Sequence, residues 1–449
     1  MKKIIAVLLC AAMAATALCA CGDPTQLSGN DTLSDDYTRS TDPTDTYNYN
    51  DGVTVAPSIY TTYSNELTDF ELRLFRNYYS TSGKSEKSFV LAPVNTALQL
   101  GYIANGGSDD VKSEIMTALG KDLEVADFNQ CSSYFKSRIE AVSKTESSET
   151  NSLSGKKEES DKNAYVKLDN SLFFNDTADV KSTFLQNGVN YYGENIFRFM
   201  FSDENALTKI NNHYADFTSG QALDNLDAKQ DLISITAADI CDSWLNVYAQ
   251  SDLEKGTFKA TSGDTDVTYM TSNEVYVKSS SAQGIIKYTD STPLKMMVVM
   301  PNEDISIDNY VSNFTNLEFS NLLDSFDVTK SATVKIPEFS IDTTKTARGM
   351  SDALSKSGLY SLFTEKAEFT NMTHTDDFAI DQMYELGSKV TVNAAGLGGQ
   401  NSSGDKAPLT TRTKELEKQK QTVDFNRPFI FVIFDNESNI PLYLGVVDF

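Results

Sequence analysis

Apolar residues recur at helical spacing over 65–79, where Leu67, Phe70, Leu72, Leu74, Phe75 and Tyr78 predict a helix with Asn65 or Thr68 as its cap. A short strand, Phe89-Val90-Leu91, precedes Pro93, which opens a second helix running to the Gly106-Gly107 turn. A third helix over 109–119 has Ser108 as its cap and Gly120 as its stop. Alternation over 164–174 predicts a strand that turns at Asn175-Asp176, and helices follow over 183–192 and 210–217, the latter ending at Gly220. The last third of the chain changes period. Continuous apolar runs over 285–288, 294–300 and 334–341 read as buried strands, a helix over 350–357 stops at Gly358, and strands follow over 390–392, 428–434 and 441–447. This is a mixed α+β pattern.

Three stretches break it. Residues 22–62 are rich in Asp, Ser, Thr, Asn and Gly, with Arg39 their lone base, and read as a flexible acidic tether. Residues 143–162 hold one apolar side chain, Leu153, and read as a solvated polar insertion. Between the strands at 390–392 and 428–434 lies a stretch from Ala394 to Thr422 without a single aromatic residue. Its opening is Gly-, Ser- and Asn-rich, and a connection that long inside a compact domain is usually functional or disordered.

Residues 1–20 have the form of an export signal: Lys2 and Lys3, then an apolar run from Ile4 to Leu18, too short to span a membrane comfortably. It closes on Leu18-Cys19-Ala20-Cys21, which is similar to a bacterial lipobox and makes Cys21 the expected lipidation site. The alternative is cleavage after a small residue to give a freely secreted chain. The expected location is the outer face of a bacterial cell, with the membrane touched only through the lipid on Cys21. Cys131 and Cys241 remain in the body, as a disulfide or as two buried thiols.

The chain has 449 residues, 38 Lys+Arg against 63 Asp+Glu and a net charge of −25. That balance excludes nucleic acid as a partner, because phosphate binding needs a basic face. Two histidines, His213 and His374, leave little for zinc or paired-His catalysis, and no metal or cofactor is expected. Ser82-Gly83-Lys84-Ser85 lacks the earlier glycine of a phosphate loop, and Asp264-Thr265-Asp266 lacks the Gly and Glu of a calcium loop and reads as a solvated turn. Gly396-Leu397-Gly398-Gly399 opens no helix and is not a dinucleotide site. No nucleophile elbow occurs. An exported domain with a long loop between strands and no catalytic set is the composition of a protease bait rather than an enzyme.

From about residue 63 to 449 the chain resembles the serpin family. The resemblance is carried by Phe89-Val90-Leu91-Ala92-Pro93 with Ala97-Leu98, by Ile210-Asn211-Asn212 (His213 where the family has Trp) with Thr218 and Gly220, and by Trp244, Phe258 and Met270. It continues through Met296 to Pro301, Val334-Lys335-Ile336-Pro337-Glu338-Phe339, and Leu354, Gly358, Leu359, Leu362-Phe363 and Phe369. The tail is the strongest block: Phe425-Asn426-Arg427-Pro428-Phe429, Ile433-Phe434-Asp435-Asn436 and Leu442 to Val447.

The resemblance implies a fold of three β-sheets with eight or nine helices, a monomer, and a reactive loop between Ala394 and Thr422. It also implies suicide inhibition of an extracellular serine, or cysteine, protease. The protease cleaves the loop as a substrate, and the freed part inserts into the main sheet and traps the acyl-enzyme. Val392-Asn393-Ala394-Ala395-Gly396 is similar to the family's Val-Asn-Glu-Glu-Gly, which makes Gly396, Leu397, Gly398 and Gly399 the hinge. The acidic pair is absent, Leu397 replaces a small residue, and Gln400-Asn401-Ser402 replace part of an alanine run. Counting from Gly396 places the scissile bond at Thr410-Thr411, and counting back from Asn426 places it near Glu417. Arg412 and Lys414 lie between and would suit a trypsin-like protease, with Arg412 preferred. The same residues also read as a solvated stretch without a role. A serpin-fold binding or substrate protein whose hinge does not insert is the alternative.

Overall fold

A computed structural model describes residues 23–40, 52, 54–141, 164–193, 195–345, 347–387, 389–398 and 421–449. The expected signal and Cys21, the 143–162 insertion, Gly399, Thr410, Thr411, Arg412 and Lys414 lie outside the described residues.

The first helix, α1, is Pro57–Thr81, longer than expected at its N-terminus. It is started by Pro57, whose fixed φ suits the first helical turn, rather than by a side-chain cap. Its stripe of Tyr63, Leu67, Phe70, Leu74, Phe75 and Tyr78 is buried as the periodicity implied. Helix α2, Pro93–Ala104, is buried at every one of its residues, the polar Asn95, Thr96 and Gln99 included. Helices α3 (Asp109–Gly120) and α4 (Val125–Ile139) pack against α1 and α2, and Ser108 caps α3 as read. The remaining helices among the described residues are α5 (Ser182–Asn187), α6 (Ala206–His213), α7 (Ile307–Ser312), α8 (Asn316–Asp324) and α9 (Ser351–Lys356). Helix α6 starts and stops four residues earlier than the apolar pattern suggested.

Among the described residues the strands of the three expected sheets hydrogen-bond into two networks. The 16-residue β6 (Gly263–Lys278) and β9 (Ser331–Pro337) join two of them into one nine-stranded sheet. The chain therefore enters β6 at Gly263, and Asp264-Thr265-Asp266 lie in a strand rather than a turn. That sheet runs β1 (Phe89–Leu91), β17 (Pro441–Val447), β16 (Phe429–Asp435), β8 (Leu294–Pro301), β7 (Ala282–Tyr288), β6, β9 and β15 (Thr422–Asp424), with β5 (Leu253–Ala260) paired to β6. β16 and β17 are buried at every residue, which is what their unbroken apolar runs required.

The main sheet holds β2 (Tyr165–Asn175), β3 (Asn195–Phe199), β4 (Leu232–Ser243), β10 (Phe339–Asp342), β11 (Arg348–Gly349), β12 (Met383–Glu385), β13 (Lys389–Val392) and β14 (Gly396–Leu397). β4 alternates between two cores. Its even residues Leu232, Ala238 and Ile240 join the large core around α2, and its odd residues Ile233, Ile235 and Ala237 join a small core under α6.

Residues 23–40 do not behave as the expected tether. Leu33 N–H donates to the Ile196 carbonyl and Arg198 N–H to the Asp31 carbonyl, both at 2.7 Å, so the segment runs along the outer edge of β3. The Asp31 carboxylate takes Lys209 Nζ of α6 at 3.1 Å, and Asn212 Nδ2 donates to the Thr25 carbonyl. An exposed edge strand is a liability, and covering β3 removes it. The backbone pairs regardless of side-chain polarity, which is why composition gave no sign of it.

Candidate functional site

The hinge lies at the upper end of the main sheet. β13 pairs antiparallel with β10, and after Val392 the chain reverses within three residues. The Asn393 side chain makes the turn: its Oδ1 accepts from Ala395 N–H at 2.8 Å and Gly396 N–H at 3.1 Å. The chain re-enters the sheet as β14, wedged between β13 and β4, with Leu397 opposite Val392 on one side and Asp242 on the other. Leu397 is fully buried in the large core. Gly396 and Leu397 thus belong to the sheet, and Gly398 N–H still donates to the Thr391 carbonyl at 3.0 Å. The expected loop boundaries shift inward at both ends, because Thr422 lies in β15, paired parallel with β9.

Two hinge glycines are dictated by contact. A Cβ on Gly396 would lie 2.0 Å from the Asp242 carbonyl oxygen, and one on Gly398 would lie 2.1 Å from that of Ile240. Gly398 also has φ +73°, which side-chain-bearing residues rarely adopt.

The reversal is pinned from outside. Trp244 and Tyr248 donate their backbone N–H groups to the Ala395 and Ala394 carbonyls, both at 3.0 Å, and Trp244 Nε1 donates to the Asn393 carbonyl at 2.8 Å. Glu338 Oε1 accepts from Ala394 N–H at 3.2 Å. Under the two rings sits a buried ion pair, Lys287 Nζ to Glu274 Oε1 at 2.6 Å. The ammonium is 5.2 Å from the Trp244 ring centroid and 4.4 Å from that of Tyr248. Burial alone would lower the Lys287 pKa, but Glu274 and Tyr248 pull it above the usual lysine value, so the cation persists.

Below the hinge, β12 pairs directly with β4 in parallel: Met383 with Ser234, Tyr384 with Ile235 and Glu385 with Thr236. A strand entering between β4 and β13 would have to part this pair to advance. Glu385 is buried at the seam, its Oε1 accepting from Ala92 N–H at the start of α2 at 2.7 Å. Desolvation pushes its carboxyl up to about 7, against the pull of Arg348 and the Ala92 N–H. Helix α6 covers the other face. His213 Nε2 is 3.1 Å from Ser171 Oγ and 3.6 Å from Asp169 Oδ2. Burial would raise Asp169, but the hydrogen bond and charge of His213 hold it below the usual carboxylate range. His213 is a packing and latching residue with Phe173 and Phe197 around it.

The structure therefore brings together Gly396, Leu397 and Gly398 from the expected hinge. Cys131 of α4 and Cys241 of β4 are buried thiols with no disulfide between them, so of the two alternatives the pair of buried thiols holds. The pattern reading missed the Trp244–Tyr248 clamp and the buried Glu385. A signal for the latter was present: an acid enclosed by Met383, Tyr384 and Leu386.

A family model described as Serpin (serine protease inhibitor) matches residues 65–448. Serine protease inhibitor A6 of Xenopus laevis is 22% identical over 402 residues, covering 86% of this chain and 83% of its own. Corticosteroid-binding globulin of Oryctolagus cuniculus is 23% identical over 406 residues, covering 84% and 93%. The native-state crystal structure of the thermophilic serpin tengpin superposes with a TM-score of 0.71 at 22% identity, covering 93% of this chain and 99% of that one. With the family model spanning nearly the whole described body and the sheet, hinge and covering helix in place, the chain belongs to the serpin family.

Proposed function

We propose that this serpin is a cell-surface suicide inhibitor of an extracellular endopeptidase, held to the membrane through lipidated Cys21. The observation that carries the reading is β14: the first two hinge residues already occupy the strand position between β13 and β4, in register with both. Insertion would extend an existing strand rather than nucleate a new one. The catalytic chemistry belongs to the protease, whose own nucleophile forms the acyl-enzyme, and this chain supplies a substrate loop and the strand addition that drags the enzyme. Arg412 is the proposed residue before the scissile bond, with Lys414, Thr410 and Thr411 as the other positions.

A second reading is a serpin-fold carrier without inhibition. It is favoured by relatives named for what they bind, such as corticosteroid-binding globulin. One experiment separates the two. The full chain in detergent is mixed with excess trypsin and, separately, with a papain-type cysteine protease, and read by denaturing gel and intact mass. The inhibitor reading expects a covalent complex and one released C-terminal peptide beginning at Thr413. A peptide beginning at Glu415 would move the bond to Lys414. Complete cleavage with no complex and undiminished protease activity would refute inhibition of those proteases and leave the carrier reading.

A further inference from the structure

Where the β6–β7 turn, the link from β8 to α7, and α8 meet, the described residues enclose an open cleft of about 420 Å³, within the range of roughly 300–1,000 Å³ typical of small-molecule sites. Asn302 ties two of these segments together, its N–H donating to the Ser281 carbonyl and its Nδ2 to the Ser280 carbonyl, both at 2.8 Å. A carboxylate is held in place at the cleft wall. Ser279 Oγ accepts from Ser281 N–H at 3.0 Å and Ala282 N–H at 3.1 Å, which leaves its own proton for Glu318 Oε1 at 2.6 Å. Tyr310 Oη of α7 donates to the same oxygen at 3.0 Å. Burial and the Glu318 charge push the Tyr310 hydroxyl well above the usual tyrosine range, so it stays a donor. Thr315 caps α8, and Glu318 follows at the third helical position, from which a Glu often reaches back to the cap's N–H. Here that N–H donates to the Asn313 carbonyl at 2.8 Å, and the Glu318 carboxylate turns to Ser279 and Tyr310.

The rest of the lining is rich in acceptors. Among the described residues, neither Glu318 Oε2 nor the exposed Asp304 carboxylate at the mouth has a hydrogen-bond or ion-pair partner. Asn313 spends its amide on the Asn309 carbonyl at 2.8 Å, which leaves Asn313 Oδ1 as an acceptor. Between these groups Ile305, half-buried against the large core, supplies an apolar wall. Such a lining asks for a ligand with many donors, positive charge and an apolar stem. An ammonium on a methylene chain has three donors and no acceptor.

We propose that this cleft binds a linear alkyl polyamine, whether or not the chain inhibits a protease. One ammonium is received by Glu318 Oε2 and Asn313 Oδ1, the methylenes run over Ile305, and a second ammonium meets Asp304 at the mouth. A metal ion suits the lining less well. No group of three or more His, Cys, Asp or Glu side chains set to hold one occurs among the described residues, and calcium takes about 6–8 oxygens. An anion would face two carboxylates. Ser279 and Tyr310 are the positioning residues: by filling Oε1 they leave Oε2 for the ligand.

A chain of net charge −25 gathers cations over its whole surface, so the test must separate the cleft from that background. Labelled spermidine is dialysed to equilibrium against the full chain in non-ionic detergent, at about 0.15 M salt to screen exposed charges. A single saturable site is expected, and diacetylated spermidine, which lacks the end charges, should not compete for it. Glu318→Gln keeps an oxygen for Ser279 and Tyr310 but drops the charge, and should weaken binding by on the order of tenfold, the worth of one charged hydrogen bond. Asp304→Asn, at the exposed mouth, should weaken it several-fold, and it carries the test if the Glu318 variant does not fold. Asp264→Asn removes an exposed acid of β6 outside the cleft and should leave binding unchanged. Absence of a saturable site, displacement of spermidine by an equimolar amount of calcium, or equal weakening by Asp264→Asn and the cleft variants would overturn the proposal.

Discussion

Replacing Leu397 with Glu should drive the hinge out of the main sheet, and the chain's only tryptophan should report it. β14 is two residues long. Besides its pairing with β4, its main-chain attachments include Gly398 N–H to the Thr391 carbonyl and Asn393 N–H to the Gly396 carbonyl, with the Trp244 and Tyr248 N–H groups on the preceding turn. At a net of about 0.5–1.5 kcal/mol each, four such bonds supply on the order of 2–6 kcal/mol. The Leu397 side chain, fully buried, contributes a comparable amount, since truncating a buried Leu to Ala costs about 2–5 kcal/mol. Glu removes that contribution and takes a carboxylate into the large apolar core, at a further cost of several kcal/mol. The docked population should fall by at least about a thousandfold, each tenfold step being about 1.4 kcal/mol.

Trp244 is fully buried and its Nε1 donates to the Asn393 carbonyl, so undocking takes away its partner and admits water. Emission should shift to the red, acrylamide quenching should rise, and the Trp244 and Tyr248 amides should lose protection from hydrogen exchange. Leu397→Met, which conserves volume, should leave all three near the parent values. Parent-like emission, quenching and amide protection in the Glu variant would show that Leu397 does not hold the hinge, and the reasoning from β14 would fail.

Glu385→Gln tests the seam by pH. Because burial raises the Glu385 carboxyl to about 7 in the fold against 4.5 in the unfolded chain, the folded state binds the extra proton between those values. Its contribution is therefore intact below pH 4.5 and is lost as pH rises towards 7, by about 3 kcal/mol in all; urea unfolding across that window should show the fall in the parent and a flatter profile in the variant. Gly398→Ala places a Cβ against the Ile240 carbonyl at a positive φ, so it should partly undock the hinge and shift Trp244 emission in the same direction as Leu397→Glu. Asp31→Ala strips Lys209 and the Ser28 N–H of their shared acceptor and should cost about 1–3 kcal/mol in thermal unfolding; an unchanged melting temperature would return residues 23–40 to the role of a tether.

Where the sequence was readable, a side-chain pattern determined the outcome. The stripe on α1, the apolar residues of α2 and the apolar runs of β8, β16 and β17 bury what their period says they bury. Where it was not readable, backbone pairing or a distant partner decided. Residues 23–40 carry no apolar pattern, yet they pair along β3 through peptide groups that every residue possesses. β4 went unread because it feeds two cores at once, so its apolar residues do not alternate with polar ones. The hinge glycines were visible as residues, but the need for them comes from carbonyls of β4 more than 150 positions earlier in the chain. Likewise the buried amides Asn95 and Gln99 of α2 went unread, and it is the cross-strand register of Asn170, Thr236 and Glu385 that gives Asn95 polar neighbours.

These long-range dependencies change how the departures from the family's hinge pattern should be weighed. Taken one at a time, Gly398 raises the entropy cost of forming a strand, and Asn401 and Ser403 invite unsatisfied burial. Each of those penalties assumes an apolar, roomy slot. The slot here is neither: the Ile240 and Asp242 carbonyls leave no room for a Cβ at Gly398 or Gly396, and the centre of the sheet carries unpartnered polar atoms of its own. A departure in hinge composition is therefore weighed against the strand that receives it, and at Gly396 and Gly398 the β4 carbonyls leave room for glycine alone.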